Sequence, residues 1–99
     1  MGESKGPRLS MRHGGDEVIL PLVLRETLIG RIDSNHVVLD DPEVSRIHAR
    51  LLLLPDGVDI EDCGSSIGTL VNGEMIDRAR LQNGDVVSIG PVALTFLLD

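Results

Sequence analysis

Residues 43–62 read Glu-Val-Ser-Arg-Ile-His-Ala-Arg-Leu-Leu-Leu-Leu-Pro-Asp-Gly-Val-Asp-Ile-Glu-Asp, and the fold turns on how they are read. The first half, Glu43 to Leu54, has neither Gly nor Pro and carries good helix formers. Val44, Ile47, Leu51 and Leu54 fit a helical repeat about as well as Ile47, Ala49, Leu51 and Leu53 fit a strand, so periodicity alone leaves both open. The neighbours favour strand. Pro55-Asp56-Gly57 is a strong turn, and Val58-Asp59-Ile60-Glu61-Asp62 alternates apolar with polar, so the two runs are expected to pair as a hairpin.

Outward from that hairpin the same grammar repeats. Arg8 to His13 alternates like a half-buried strand and Gly14-Gly15-Asp16 turns the chain. Glu17 to Leu24 reads as an extended segment with Pro21 at an edge. Thr27 to Ile32 and Val37 to Leu39 are further strands, closed by Asp33-Ser34-Asn35 and Asp40-Asp41-Pro42. Cys63 to Thr69 is a loop of small residues. Asn72-Gly73 is the strongest hairpin signal, because both turn positions need the positive φ that Asn and Gly tolerate. Asp77 to Arg80 reads as a link, Asn83-Gly84 as a turn, Asp85 to Ile89 as a strand, and Val92 to Leu98 as the last strand after Gly90-Pro91. Many short strands with frequent turns and no clear helix predict an all-β, antiparallel sandwich.

The chain has 99 residues, enough for one core. We expect a flexible N-terminal segment over residues 1–7 and a single domain over 8–99. Phe96 is the only aromatic and Trp and Tyr are absent, so the core must be aliphatic and the platforms that stack nucleic-acid bases are missing. The formal charge of -7 also argues against a nucleic-acid backbone as partner. Cys63 is the lone cysteine, which rules out an internal disulfide and points to a reducing, cytoplasmic setting; a buried or half-buried thiol is the commoner case. No apolar run approaches the roughly 18 residues of a membrane span, and Gly6 breaks the myristoylation pattern that Gly2 would open.

A negative chain can still bind a small anion where a few cations converge. Arg31 lies at a strand end after Gly30, and Arg46 lies beside Ser45. If those loops are neighbours, two guanidinium forks and a hydroxyl meet at one place suited to phosphate oxygens. In the other reading both arginines pair on the surface with Asp33, Asp40, Asp41 or Glu43. His48 likewise reads either as a ligand or base, or as a neutral imidazole tying loops together. Ser45 or Ser65 with His48 and Asp62 makes a nominal hydrolase set, but no Gly-x-Ser-x-Gly elbow accompanies it. His13, His36, His48 and Cys63 lack paired metal-ligand spacing, and no residue pattern calls for a cofactor.

Gly30-Arg31, Ser45-Arg46-x-His48, Asp62-x-Gly-Ser-Ser-x-Gly-Thr69, Val71-Asn72-Gly73, Leu81-x-x-Gly84-Asp85 and Ile89-Gly90 together resemble the forkhead-associated (FHA) domain, in order and spacing, from about Leu9 to Leu98. The resemblance implies a sandwich of about eleven strands that binds phosphothreonine peptides through loops at one end. It implies no enzymatic activity. By the same resemblance Arg31, Ser45, Arg46 and Ser66 contact the phosphopeptide, with Ser66 standing where Thr is usual. Glu43 and Ile67 fall where peptide selectivity is set, and Ile67 replaces an Asn whose amide grips the peptide backbone. Gly30, His48, Gly68, Thr69 and Asn72 fall where the binding loops are braced. The implied partner is a phosphothreonine protein, such as a Ser/Thr kinase or its substrate. The alternative is a scaffold of the same fold that binds proteins independently of phosphate.

Overall fold

A computed structural model of the chain describes residues 6–13 and 15–99. The described residues form eleven strands and no helix: β1 (Arg8–His13), β2 (Asp16–Pro21), β3 (Glu26–Gly30), β4 (Val37–Val38), β5 (Ala49–Leu54), β6 (Gly57–Asp62), β7 (Thr69–Val71), β8 (Glu74–Ile76), β9 (Arg78–Arg80), β10 (Val86–Ile89) and β11 (Val92–Leu97). Among them no helix is long and apolar enough to cross a membrane. Of the segment expected to be flexible, residues 1–5 lie outside the described range, as does Gly14 of the first turn. Pro7 accepts a hydrogen bond from the Leu22 N–H at 2.9 Å.

The strands form two sheets, ordered β2-β1-β11-β10-β7-β8 and β4-β3-β5-β6-β9. The ambiguous stretch is not a helix: it runs as a loop through His48 and then as strand β5. Pairing with β6 fixes the register, Ala49 opposite Asp62 and Leu54 opposite Gly57, which leaves Pro55 and Asp56 as the turn. Ala49 and Leu51 point into the core, whereas Ile47 stays in the loop, 43% exposed. Alternation does the same elsewhere, so Ile29, Val58, Ile60, Val87, Ile89, Leu94 and Phe96 from the two sheets form one dry core.

Two features differ from the expectation. Residues 78–80 form strand β9, where a link was expected. Ala79 lies opposite Ile60 and its two flanking arginines both bond Asp59 on β6, so a partner strand supplies what three residues of weak β-propensity lack. The sandwich also contains one parallel pair, because the chain loops back after β3 and lays Val37 beside Ile29. The Asn72-Gly73 turn has the expected geometry, with φ of 51° and 85°. Pro21 ends edge strand β2, where its missing N–H leaves no ladder bond unmade.

Candidate functional site

Three loops meet at one end of the sandwich: residues 31–36 after β3, 39–48 before β5, and 63–68 between β6 and β7. Close backbone approach joins the first two. The Arg31 N–H donates to the Ser45 carbonyl at 3.0 Å and the Ile32 N–H to the Arg46 carbonyl at 3.4 Å. Gly30 makes this possible, since a Cβ there would collide with the Arg46 carbonyl oxygen. Asn35, buried behind the junction, donates through Nδ2 to the carbonyls of Ile32 at 2.8 Å and Arg46 at 2.7 Å. Asn35 was not singled out from the sequence, because its role depends on the approach of residues eleven apart.

His48 ties in the third loop. It has no exposed surface, its Nδ1 accepts the Ser45 N–H at 3.1 Å, and its Nε2 lies 2.8 Å from the Gly68 carbonyl. A carbonyl can only accept, so Nε2 carries the proton and Nδ1 the lone pair: a neutral imidazole spanning two loops. With both ring nitrogens engaged, His48 has nothing left to activate the Ser45 hydroxyl. Asp62 is committed as well. Its carboxylate accepts from the hydroxyls of Ser65 at 2.5 Å and Thr69 at 2.7 Å, and from the N–H groups of Gly64 and Ser65, both at 3.0 Å. Burial alone would push its acidity down, yet these four donors outweigh burial and hold the Asp62 carboxyl below the usual carboxylate range. The nominal hydrolase set is therefore three separate structural contacts. An Asp-x-Gly-Ser spacing is a local signal for such a turn.

On this frame Ser45 and Ser66 come together. The Ser45 Oγ accepts the Ser66 N–H at 3.0 Å and lies 3.5 Å from the Ser66 Oγ. Beside them Arg31 is anchored through Nε to the Val44 carbonyl at 3.0 Å, and no hydrogen bond from its terminal amino groups occurs among the described residues. The Arg46 side chain is exposed on the next residue of the same loop. Neither arginine forms an ion pair among the described residues, so Asp33, Asp40, Asp41 and Glu43 do not neutralise them; the ion pairs there belong to Arg50, Arg78 and Arg80. Two hydroxyls beside the unneutralised Arg31 guanidinium, with Arg46 exposed on the same loop, can hold an anion.

Around this rim the side chains turn apolar. Ile67 is 43% exposed, and a Cβ placed on Gly90 would lie 3.5 Å from its Cδ1, 3.6 Å from the Glu43 Cβ and 3.7 Å from Val44 Cγ2. On the other side Met75 lies over Gly68, whose φ is +89°. Thr69 is fully buried under the loop. Asn72 is elsewhere: it bonds Asp85 and Val86 at the opposite end of β7 from Ser66, so it braces that turn and not the loops around Ser45. Cys63 is exposed, contrary to the expectation of a buried or half-buried thiol, because it ends the β6 run just outside the sheet. Its thiol is held above the ordinary value, first by partial desolvation and against the pull of Arg50. Among the described residues no group of three His, Cys, Asp or Glu could hold a metal ion.

Known proteins are similar to this chain in sequence and in fold. The model of the FHA domain family matches residues 27–90. The chain is 40% identical over 93 residues to the glycogen accumulation regulator GarA of Mycobacterium tuberculosis, covering 94% of this chain and 53% of that protein. It is 46% identical over 68 residues to the ABC transporter ATP-binding/permease protein Rv1747 of the same organism, covering 69% of this chain and 8% of that one. Mycobacterium tuberculosis EmbR, solved in complex with a low-affinity phosphopeptide, superposes with a TM-score of 0.85 at 32% identity, over 95% of this chain and 24% of that one. The chain thus spans about half of GarA and a small share of Rv1747.

Proposed function

Because the chain belongs to the FHA domain family, we propose that it is a phosphothreonine-peptide recognition module that joins proteins in Ser/Thr kinase signalling. The observation that carries this reading is the pairing of Ser45 and Ser66 beside an Arg31 whose Nε is pinned and whose terminal amino groups are unneutralised. A phosphate dianion placed there receives the Ser45 and Ser66 hydroxyls and the forks of Arg31 and Arg46. Charge-assisted bonds of this kind contribute about 1.5–3 kcal/mol each. Pinning Nε removes some of the rotamer entropy that an arginine loses on binding. Gly30, His48, Gly68 and Thr69 hold the loops in place for this contact.

Selectivity falls to the rim. Ile67 cannot hydrogen-bond a peptide backbone as an Asn would, so affinity rests more on the phosphate and on apolar contact. The Glu43 carboxylate disfavours an acidic residue three positions after the phosphothreonine and accepts a basic one. The partner is a phosphorylated protein, such as a Ser/Thr kinase or its substrate, met in a reducing, cytoplasmic compartment, and the role is binding without catalysis.

Calorimetric titration with one peptide in phosphorylated and unphosphorylated forms tests the reading. Only the phosphorylated form should bind. Arg31→Ala should weaken that binding by about 2 kcal/mol, roughly thirtyfold, with little change in melting temperature. Equal binding of both forms would establish the phosphate-independent scaffold instead. Unfolding by Arg31→Ala would make that residue structural.

A further inference from the structure

Past Glu43 the surface opens into a second cleft of about 480 Å³, lined by Val38, Leu39 and Val92 together with Asp40, Asp41 and Arg12. It continues the rim just described. Pro91, also on the cleft, follows Gly90, and Asp41 is held in the same turn as Glu43 by accepting the Glu43 N–H at 2.9 Å and the Val44 N–H at 3.0 Å. Of the aliphatic lining Val38 is 45% exposed and Val92 partly so, over a buried Leu39. Neither Asp40 nor Asp41 has an ion pair among the described residues, and the single guanidinium on the cleft, Arg12, donates to the Gly15 carbonyl.

We infer that this cleft is a second subsite for the same ligand, taking a lysine or arginine side chain that lies a few residues from the phosphothreonine. The inference rests on the phosphopeptide reading above. A long basic side chain matches both chemistries of the cleft: its methylene stem covers Val38 and Val92, and its charged head meets Asp40 and Asp41. A wholly apolar occupant would desolvate both carboxylates, leaving Asp40 without a partner and Asp41 with only the Glu43 N–H. An acidic occupant would meet two like charges against one guanidinium. The cleft thus adds a positional demand for positive charge beyond the phosphate itself.

The test is a lysine scan along a bound phosphothreonine peptide, read by calorimetry for the wild type, Asp40→Asn and Asp40→Lys. Asp40 is exposed and makes no side-chain hydrogen bond among the described residues, so the parent peptide should bind all three proteins alike. Lysine at one position, on one side of the phosphothreonine only, should tighten wild-type binding by about threefold to tenfold. That gain should vanish in Asp40→Asn, and Asp40→Lys should prefer glutamate at the same position. A flat scan, or a gain unchanged in both variants, overturns the subsite while leaving phosphopeptide recognition intact. Failure of every phosphorylated peptide to bind the wild type overturns both.

Discussion

His48 shows how a residue type that suggests chemistry can be consumed by architecture. Its two ring nitrogens link the Ser45 N–H to the Gly68 carbonyl through a fully buried ring. Truncation would leave a cavity and strand one donor and one acceptor, so His48→Ala should lose about 2–4 kcal/mol in urea unfolding. Phosphopeptide affinity should fall with it, since Ser45 and Ser66 would no longer be held in register. Asp62 offers a complementary measurement. Its folded carboxyl is held below the usual range, so its contribution to stability is complete above the unfolded-state value and disappears as pH falls through the lower, folded one. Stability curves should therefore show wild type losing more than Asp62→Asn below about pH 4. Equal acid slopes would mean that the four donors around Asp62 do not favour its charged form.

At the scale of elements, the two ends of β7 have separate duties. Ser66 to Gly68 lead into it from the candidate site, whereas Asn72 leaves it at the far end with its amide bonding Asp85 and Val86. Asn72→Ala removes both bonds and places an alanine at a φ of 51°, which should cost about 1–3 kcal/mol by thermal or chemical unfolding. Phosphopeptide affinity, measured well below the transition, should be nearly unchanged. The same contrast explains what could be read beforehand. The β5–β6 hairpin, β10 and β11 were legible because alternation and Pro-Asp-Gly, Asn-Gly or Gly-Pro turns are local signals. Strand β9 is three residues long and exists through its partner β6, so no local pattern marks it. Within the site, Arg31, Ser45 and Ser66 were legible through the spacing of family motifs. Asn35 was not, because its amide matters only once residue 46 has come alongside.

Across the whole molecule, net charge and local charge point in opposite directions. The chain carries a formal -7, yet Arg31 and Arg46 stand unneutralised at one end. Exposed acids repel a polyanion from most approaches, so a singly phosphorylated peptide should bind more tightly than one carrying several neighbouring phosphates. A titration series of increasing phosphate number checks this; affinity rising with each added phosphate would indicate a broad basic surface that the chain does not have. The pairing of β1 with β11 has a mechanical consequence. Arg8 lies opposite Leu97, at the pole remote from Gly90 and Ser66, so polypeptide joined at either strand end departs away from the loops of the candidate site. Two antiparallel strands tugged from adjacent ends come apart rung by rung, like a zip, instead of shearing all rungs together. Tension applied through both tethers should therefore peel the module open at low force, beginning at the pole remote from the candidate site.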